Sequence, residues 1–241
     1  MWQGMLLLLM RTSVVAACLT AVLLQPGALL WAQDATTYRA GLKNLTIPPP
    51  ASDLVEPGSD YRVILEPLAP TANRLVAAFV PRADLEALRS MHGAALTTYA
   101  LVEVPRRAEF AEVGPDQFKE VADGVGNQFG ASFSATMKDQ QEEINRKLKA
   151  LNSSSAELTL DKPVQLGTLF SKQDVRGYGM LMSVSLNGQS KKVAMGMTVL
   201  RIQSRLVFLY TYTEFKDESS VQWIRTTNEH WADSILQANK Q

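Results

Sequence analysis

The chain has 241 residues, 46% of them hydrophobic, and its 24 Lys and Arg balance its 24 Asp and Glu. That balance leaves no electrostatic footprint for nucleic acid or an anionic membrane, and the apolar content excludes a disordered chain. The sole cysteine, Cys18, excludes an internal disulfide.

Arg11 precedes Thr12–Ala32, an almost wholly apolar run that ends Leu30-Trp31-Ala32 before the polar Gln33-Asp34. A basic break, an apolar stretch and small residues at its end are the parts of a secretory signal sequence. Residues 1–32 are therefore expected to direct export, with cleavage near Ala32. The run is long enough to cross a bilayer core of about 30 Å, so an uncleaved anchor is the alternative. Val15-Ala16-Ala17-Cys18 resembles a lipobox, but the apolar run continues well past that cysteine, and Met10 offers a second start. The expected location is extracytoplasmic, periplasmic or secreted, with membrane attachment only through residues 12–32. Cleavage would leave a chain without cysteine, closed to thiol and cysteine–zinc chemistry.

Residues 33–60 carry Pro48-Pro49-Pro50 and Pro57-Gly58. Proline runs favour extended backbone and remove amide donors, so this stretch is expected to be an extended linker. One α+β domain is expected over 61–241, and roughly 180 residues suffice to bury about 70% of the unfolded surface. Tyr61–Leu65 and Arg74–Val80 read as strands. Pro81 opens a helix with Leu85, Leu88 and Met91 on one side and Gly93 as its stop, and Thr97–Val104 reads as a third strand.

Phe118, Val121, Val125 and Phe129 stack along one face of a helix, which Gly124, Gly126 and Gly130 are expected to break. Beyond the break, Met137, Ile144, Leu148 and Leu151 mark a second helix, supported by Glu142 with Arg146 and Glu143 with Lys147, and ended by Asn152-Ser153-Ser154-Ser155. Short strands follow near Glu157–Leu160 and Val164–Phe170.

The last third carries the clearest pattern. Tyr178, Met180, Met182, Val184 and Leu186 alternate with smaller residues, and the alternation resumes with Val193, Met195, Met197 and Val199. A turn near Gln203-Ser204 leads to Leu206–Phe215, so three antiparallel strands form a meander. Ser219 and Gln222 fit a capping box, and Val221, Ile224, Trp231 and Ile235 fall in one arc of the helix that follows. The expected fold is α+β, an antiparallel sheet with a C-terminal three-strand meander covered by helices, the terminal helix sealing its inner surface. An early hairpin, the meander over Gly177–Phe215 and the closing helix over Ser220–Ala238 resemble the PsbP/Mog1-like α/β/α sandwiches in their order. That resemblance implies an accessory or binding protein.

The candidate chemistry is sparse. His92 lies at a helix end and His230 on the solvated side of the last helix, and neither has zincin spacing. The run Gly124–Gly130 misses the dinucleotide fingerprint by one residue and does not follow a strand. Met180, Met182, Met195 and Met197 share one strand face. A turn centred on Gly188-Gln189 would set Met180 against Met197 and Met182 against Met195, and an even slip would keep all four together. Four thioethers suit Cu(I), but the same face carries Tyr178, Val184, Val193 and Val199, which reads as core. Trp223 is expected to seal the sheet edge, and Lys191, Lys192, Arg201 and Arg205 to guard the meander ends. No catalytic, cofactor-binding or metal-ligating residue is assigned, and no cofactor is implied. The expectation is an exported, non-enzymatic binding or accessory domain whose ligand or protein partner is unknown. A hydrolase with a triad using His92 or His230 is the alternative, and Cu(I) binding by the methionine patch a third.

Overall fold

Strands of alternating and β-branched residues build an antiparallel sheet that is buried on both faces. The computed structural model describes residues 36–59, 62, 65–89, 97–131, 133–151, 158–186 and 189–240. Ala35–Gln241 forms one compact unit. Ten strands occur among the described residues: β1 (Thr36–Ala40), β2 (Lys43–Ile47), β3 (Leu54–Val55), β4 (Asn73–Pro81), β5 (Tyr99–Pro105), β6 (Leu158–Leu160), β7 (Val164–Lys172), β8 (Val175–Leu186), β9 (Gln189–Ile202) and β10 (Arg205–Glu214). Among the described residues, four α-helices with defined ends accompany them: α1 (Arg82–Arg89), α2 (Pro115–Ala131), α3 (Phe133–Leu151) and α4 (Glu218–Ala238).

The main sheet runs β3-β4-β5-β10-β9-β8, with β6 and β7 both paired to the outer side of β8. Every pairing is antiparallel. The meander is β8-β9-β10, as the alternation predicts. Gln203 and Ser204 turn it with φ of 46° and 60°, the pair of left-handed residues that a tight two-residue hairpin requires. Two register irregularities in β7 bend that edge strand away from further pairing.

Two apolar layers divide the sheet. One face carries Ala194, Leu200, Ile202, Val207 and Leu209 and packs under Ile224, Trp231, Ala232 and Ile235 of α4. The other carries Tyr178, Met180, Met195, Met197 and Val199 and packs under Phe118 and Ala122 of α2, with Leu65 and Leu85. The methionine face is thus not the one that α4 seals. Ala194, Gly196, Thr198 and Leu200, the small and polar positions of β9, lie beneath the terminal helix. In that layer Asn228 is fully buried and donates to Thr211 and to the Ile224 carbonyl at 2.7 Å, while Thr198 donates to it at 3.2 Å. Such a satisfied polar cluster fixes the helix on the sheet at one register.

Several sequence expectations are corrected. The stretch read as a linker, 33–60, contains β1, β2 and β3. Thr36 pairs with Ile47 and Ala40 with Lys43, and Tyr38, Ala40, Leu45, Ile47 and Leu54 enter the α4-side core. The Pro48 carbonyl accepts the Trp231 indole proton at 2.7 Å, so the proline run is tied to the core. Within Tyr61–Leu65, read as a strand, the described residues Arg62 and Leu65 are helical, and the Arg62 amide donates to the Gly58 carbonyl at 3.1 Å. The glycines at 124 and 126 do not break α2, which runs on to Ala131. A Cβ at Gly126 would lie 2.7 Å from the Tyr178 ring, so this glycine lets the ring approach the helix, where its Oη donates to the Ala122 carbonyl at 2.6 Å. The N-cap of α4 is Asp217, whose carboxylate accepts the Ser219 amide at 2.8 Å, rather than Ser219 itself.

Candidate functional site

The methionine patch is core. Met180 stands opposite Met195, Tyr178 opposite Met197 and Met182 opposite Val193. The register leaves 187–188 as the connection, two residues from the pairing expected, and parity keeps the four thioethers on one face as the sequence implied. Met180, Met195 and Met197 are buried among aromatic and aliphatic side chains, and Met182 packs against them.

One almost fully buried charged side chain lies in that same layer, and sequence reading missed it. Tyr99, Leu101 and Glu103 point to one side of β5, opposite Tyr212, Tyr210 and Phe208 of β10. Glu103 is 1% exposed, and Asn73 donates from Nδ2 to its Oε2 at 2.7 Å. Burial pushes its carboxyl up to about 7, against the Asn73 hydrogen bond and the charge of Lys147, which pull it down. Tyr99 stacks on Tyr212 at 4.4 Å, and burial together with the Glu103 charge drives the Tyr210 and Tyr212 hydroxyls well above their ordinary range. Among the described residues no group of three His, Cys, Asp or Glu is placed to hold a metal. Glu103 is a polar pin among buried side chains, held by an amide that neither gives nor takes a catalytic proton.

The remaining candidates are scattered. His230 is exposed on α4, and His92 and Gly93 lie outside the described residues. Trp223 is half-buried and packs against the α4-side core, as expected of an edge seal. The four cations expected near the meander ends do not form one cluster. Lys191 and Lys192 are exposed at one end of β9. At the other, Arg201 pairs with Asp174 at 2.7 Å and Arg205 is buried.

What the fold does assemble is an exposed apolar pair. The β1–β2 turn, Gly41-Leu42, rests on the loop after β5. Gly41 has φ of +57°, and a Cβ there would collide with the Glu109 carbonyl, so only glycine permits this approach. Glu109 accepts the Gly41 amide at 3.3 Å and two Arg74 nitrogens, Nε at 3.1 Å and Nη2 at 2.5 Å. The same Nη2 donates to the Arg39 carbonyl at 2.8 Å, and Arg39 Nε to that of Gly41 at 3.0 Å. Arg74 holds the Glu109 carboxyl below its ordinary range. From beneath, Arg205, 4% exposed, donates from Nη1 to the carbonyls of Phe110 at 2.5 Å and Ala111 at 2.7 Å.

The backbones are latched, yet the side chains point into water: Leu42 is 70% and Phe110 65% exposed. With Val164 they are the exposed large hydrophobics among the described residues. Arg39 and Lys43, at the strand ends that flank the β1–β2 turn, and Arg106 and Arg107, in the loop after β5, are all exposed. Among the described residues none of these four forms an ion pair. Sequence reading missed the site because one half fell in the supposed linker. The available signal was Gly41-Leu42-Lys43 between two short alternating runs.

No family model matches the chain, and no curated protein matches it. Solved structures similar to it include the Ran-binding protein Mog1p of Saccharomyces cerevisiae, at 13% identity over 85% of this chain and 93% of that one, with a TM-score of 0.28. A mutant of the protein Mog1 is similar at 15% identity, 85% and 93% coverage and a TM-score of 0.29. The cyanobacterial PsbP of a Synechocystis species is similar at 10% identity, 69% and 82% coverage and a TM-score of 0.31. Likenesses of this strength assign no function to the chain.

Proposed function

We propose that the chain is an exported, non-enzymatic binding domain that meets its partner through Leu42 and Phe110. The observation that carries this reading is the contrast between backbone and side chain at the site. Eight hydrogen bonds from Arg39, Arg74, Gly41 and Arg205 immobilise the two loops. Two large apolar groups nevertheless remain in water, at a cost of about 1.5–3 kcal/mol each relative to burial. A pair so held is organised for contact, because little freedom is left to lose on binding. Export is supported by Arg11 and the apolar Thr12–Ala32. The test is photo-crosslinking in the producing cell, with a benzophenone amino acid replacing Leu42, Phe110 or Ser234, an exposed position on α4. The reading predicts adducts from 42 and 110 and none from 234. Equal yields at all three sites, or none at any, would overturn it.

A further inference from the structure

We infer that Leu42 and Phe110 dock on an anionic lipid surface, with Arg39, Lys43, Arg106 and Arg107 seated among its headgroups. This rests on the contact-face reading above and names the partner's class. Three features select a lipid surface over a protein. The first is scale: two apolar side chains offer far less area than the roughly 1,000 Å² that a specific protein interface needs. A bilayer boundary accepts shallow insertion of a few such groups when cations accompany them.

The second is charge. The chain as a whole balances 24 cations against 24 acids, yet the first hairpin and the loop after β5 carry four exposed cations with no ion pair among the described residues, of which Arg106 is tied through Nε to the carbonyls of Thr71 at 3.1 Å and Asn73 at 3.0 Å. Of the acids beside them, Glu109 is held by Arg74 at 2.5 Å, and Glu112 reaches Arg205 at 3.7 Å. Each cation close to an anionic membrane strengthens binding about fivefold. The third is shape. The pair protrudes from latched loops, whereas a protein hot spot is a pocket and its plug. A fluid headgroup layer needs no matching pocket.

The experiment uses the full chain carrying Cys18→Ser, with one cysteine introduced by Leu42→Cys, Phe110→Cys or Ser234→Cys and labelled with an environment-sensitive fluorophore. Vesicles of phosphatidylcholine, alone or with one third phosphatidylglycerol, carry a nitroxide near the headgroups. Insertion of the N-terminal apolar run does not require phosphatidylglycerol, so the comparison of the two vesicle types separates it from docking by the loops. The inference predicts quenching at 42 and 110 but not at 234, confined to the phosphatidylglycerol vesicles. Lys43→Gln with Arg107→Gln should raise the lipid concentration for half-maximal quenching at least tenfold. Quenching at 42 no greater than at 234, or equal in both vesicle types, would overturn it. If quenching fails while crosslinks from 42 and 110 reach a protein, the contact face stands and the lipid inference falls. If both fail, both readings fall.

Discussion

Glu103→Gln should make the protein more stable in alkaline solution while leaving it nearly unchanged in acid. The carboxyl is buried, and its folded value of about 7 lies above the ordinary 4.5. A raised acid means that the folded chain holds a proton the unfolded chain has released. Between those values the folded state therefore binds more protons, and stability falls as pH rises. At about 1.4 kcal/mol per pH unit, the full loss on ionising Glu103 is about 3 kcal/mol, most of it incurred between pH 5 and pH 8. Glutamine keeps an acceptor for Asn73, which now donates at 2.7 Å, and removes the titration. Urea unfolding followed by tryptophan fluorescence should show the variant's advantage growing by about 2–3 kcal/mol from pH 5 to pH 8. Parallel pH profiles for the two proteins would refute the reasoning, since they would mean that Glu103 titrates alike folded and unfolded.

Three further substitutions probe the packing. Gly126→Ala sets a methyl 2.7 Å from the Tyr178 ring and should cost about 1–3 kcal/mol in urea unfolding, relieved in part by Tyr178→Phe. Gly41→Ala, at φ of +57° and against the Glu109 carbonyl, should cost about 2 kcal/mol and speed amide exchange in β1 and β2 more than in β9. Asp217→Ala removes the cap of α4 and should cost about 1 kcal/mol, with Asp217→Asn retaining most of it, as measured by thermal unfolding.

The parts of the fold that were legible in the sequence are those where one period persists. Strands β8 and β9 alternate over 178–186 and 193–199, β10 is a long run rich in aromatic and β-branched residues, and the buried stripe of α4 repeats at helical spacing. Strands β1 and β2 have five residues apiece, so Tyr38, Ala40, Leu45 and Ile47 supply only two inward positions per strand, and the adjoining prolines outweighed them. The Met180–Met195 register followed a missed Asn187-Gly188 hairpin signal, and the two-residue error did not move a side chain across the sheet. Which helix covers which face was hidden for a simpler reason. Ala194, Gly196 and Thr198 look like a solvated side, yet their small size is what lets Asn228 and α4 approach. Neither Glu103 nor the Leu42–Phe110 pair carries a local motif, because each is assembled by strands and loops distant in the chain.

The account depends most on the first hairpin being a built part of the domain, since that is what sets Leu42 beside Phe110. Hydrogen–deuterium exchange over residues 36–47 tests this directly. The account predicts protection within about tenfold of that in β4, reduced by Gly41→Ala, because both strands lie in the core beneath Trp231. Exchange of those amides at the rate of an unstructured tether would contradict it.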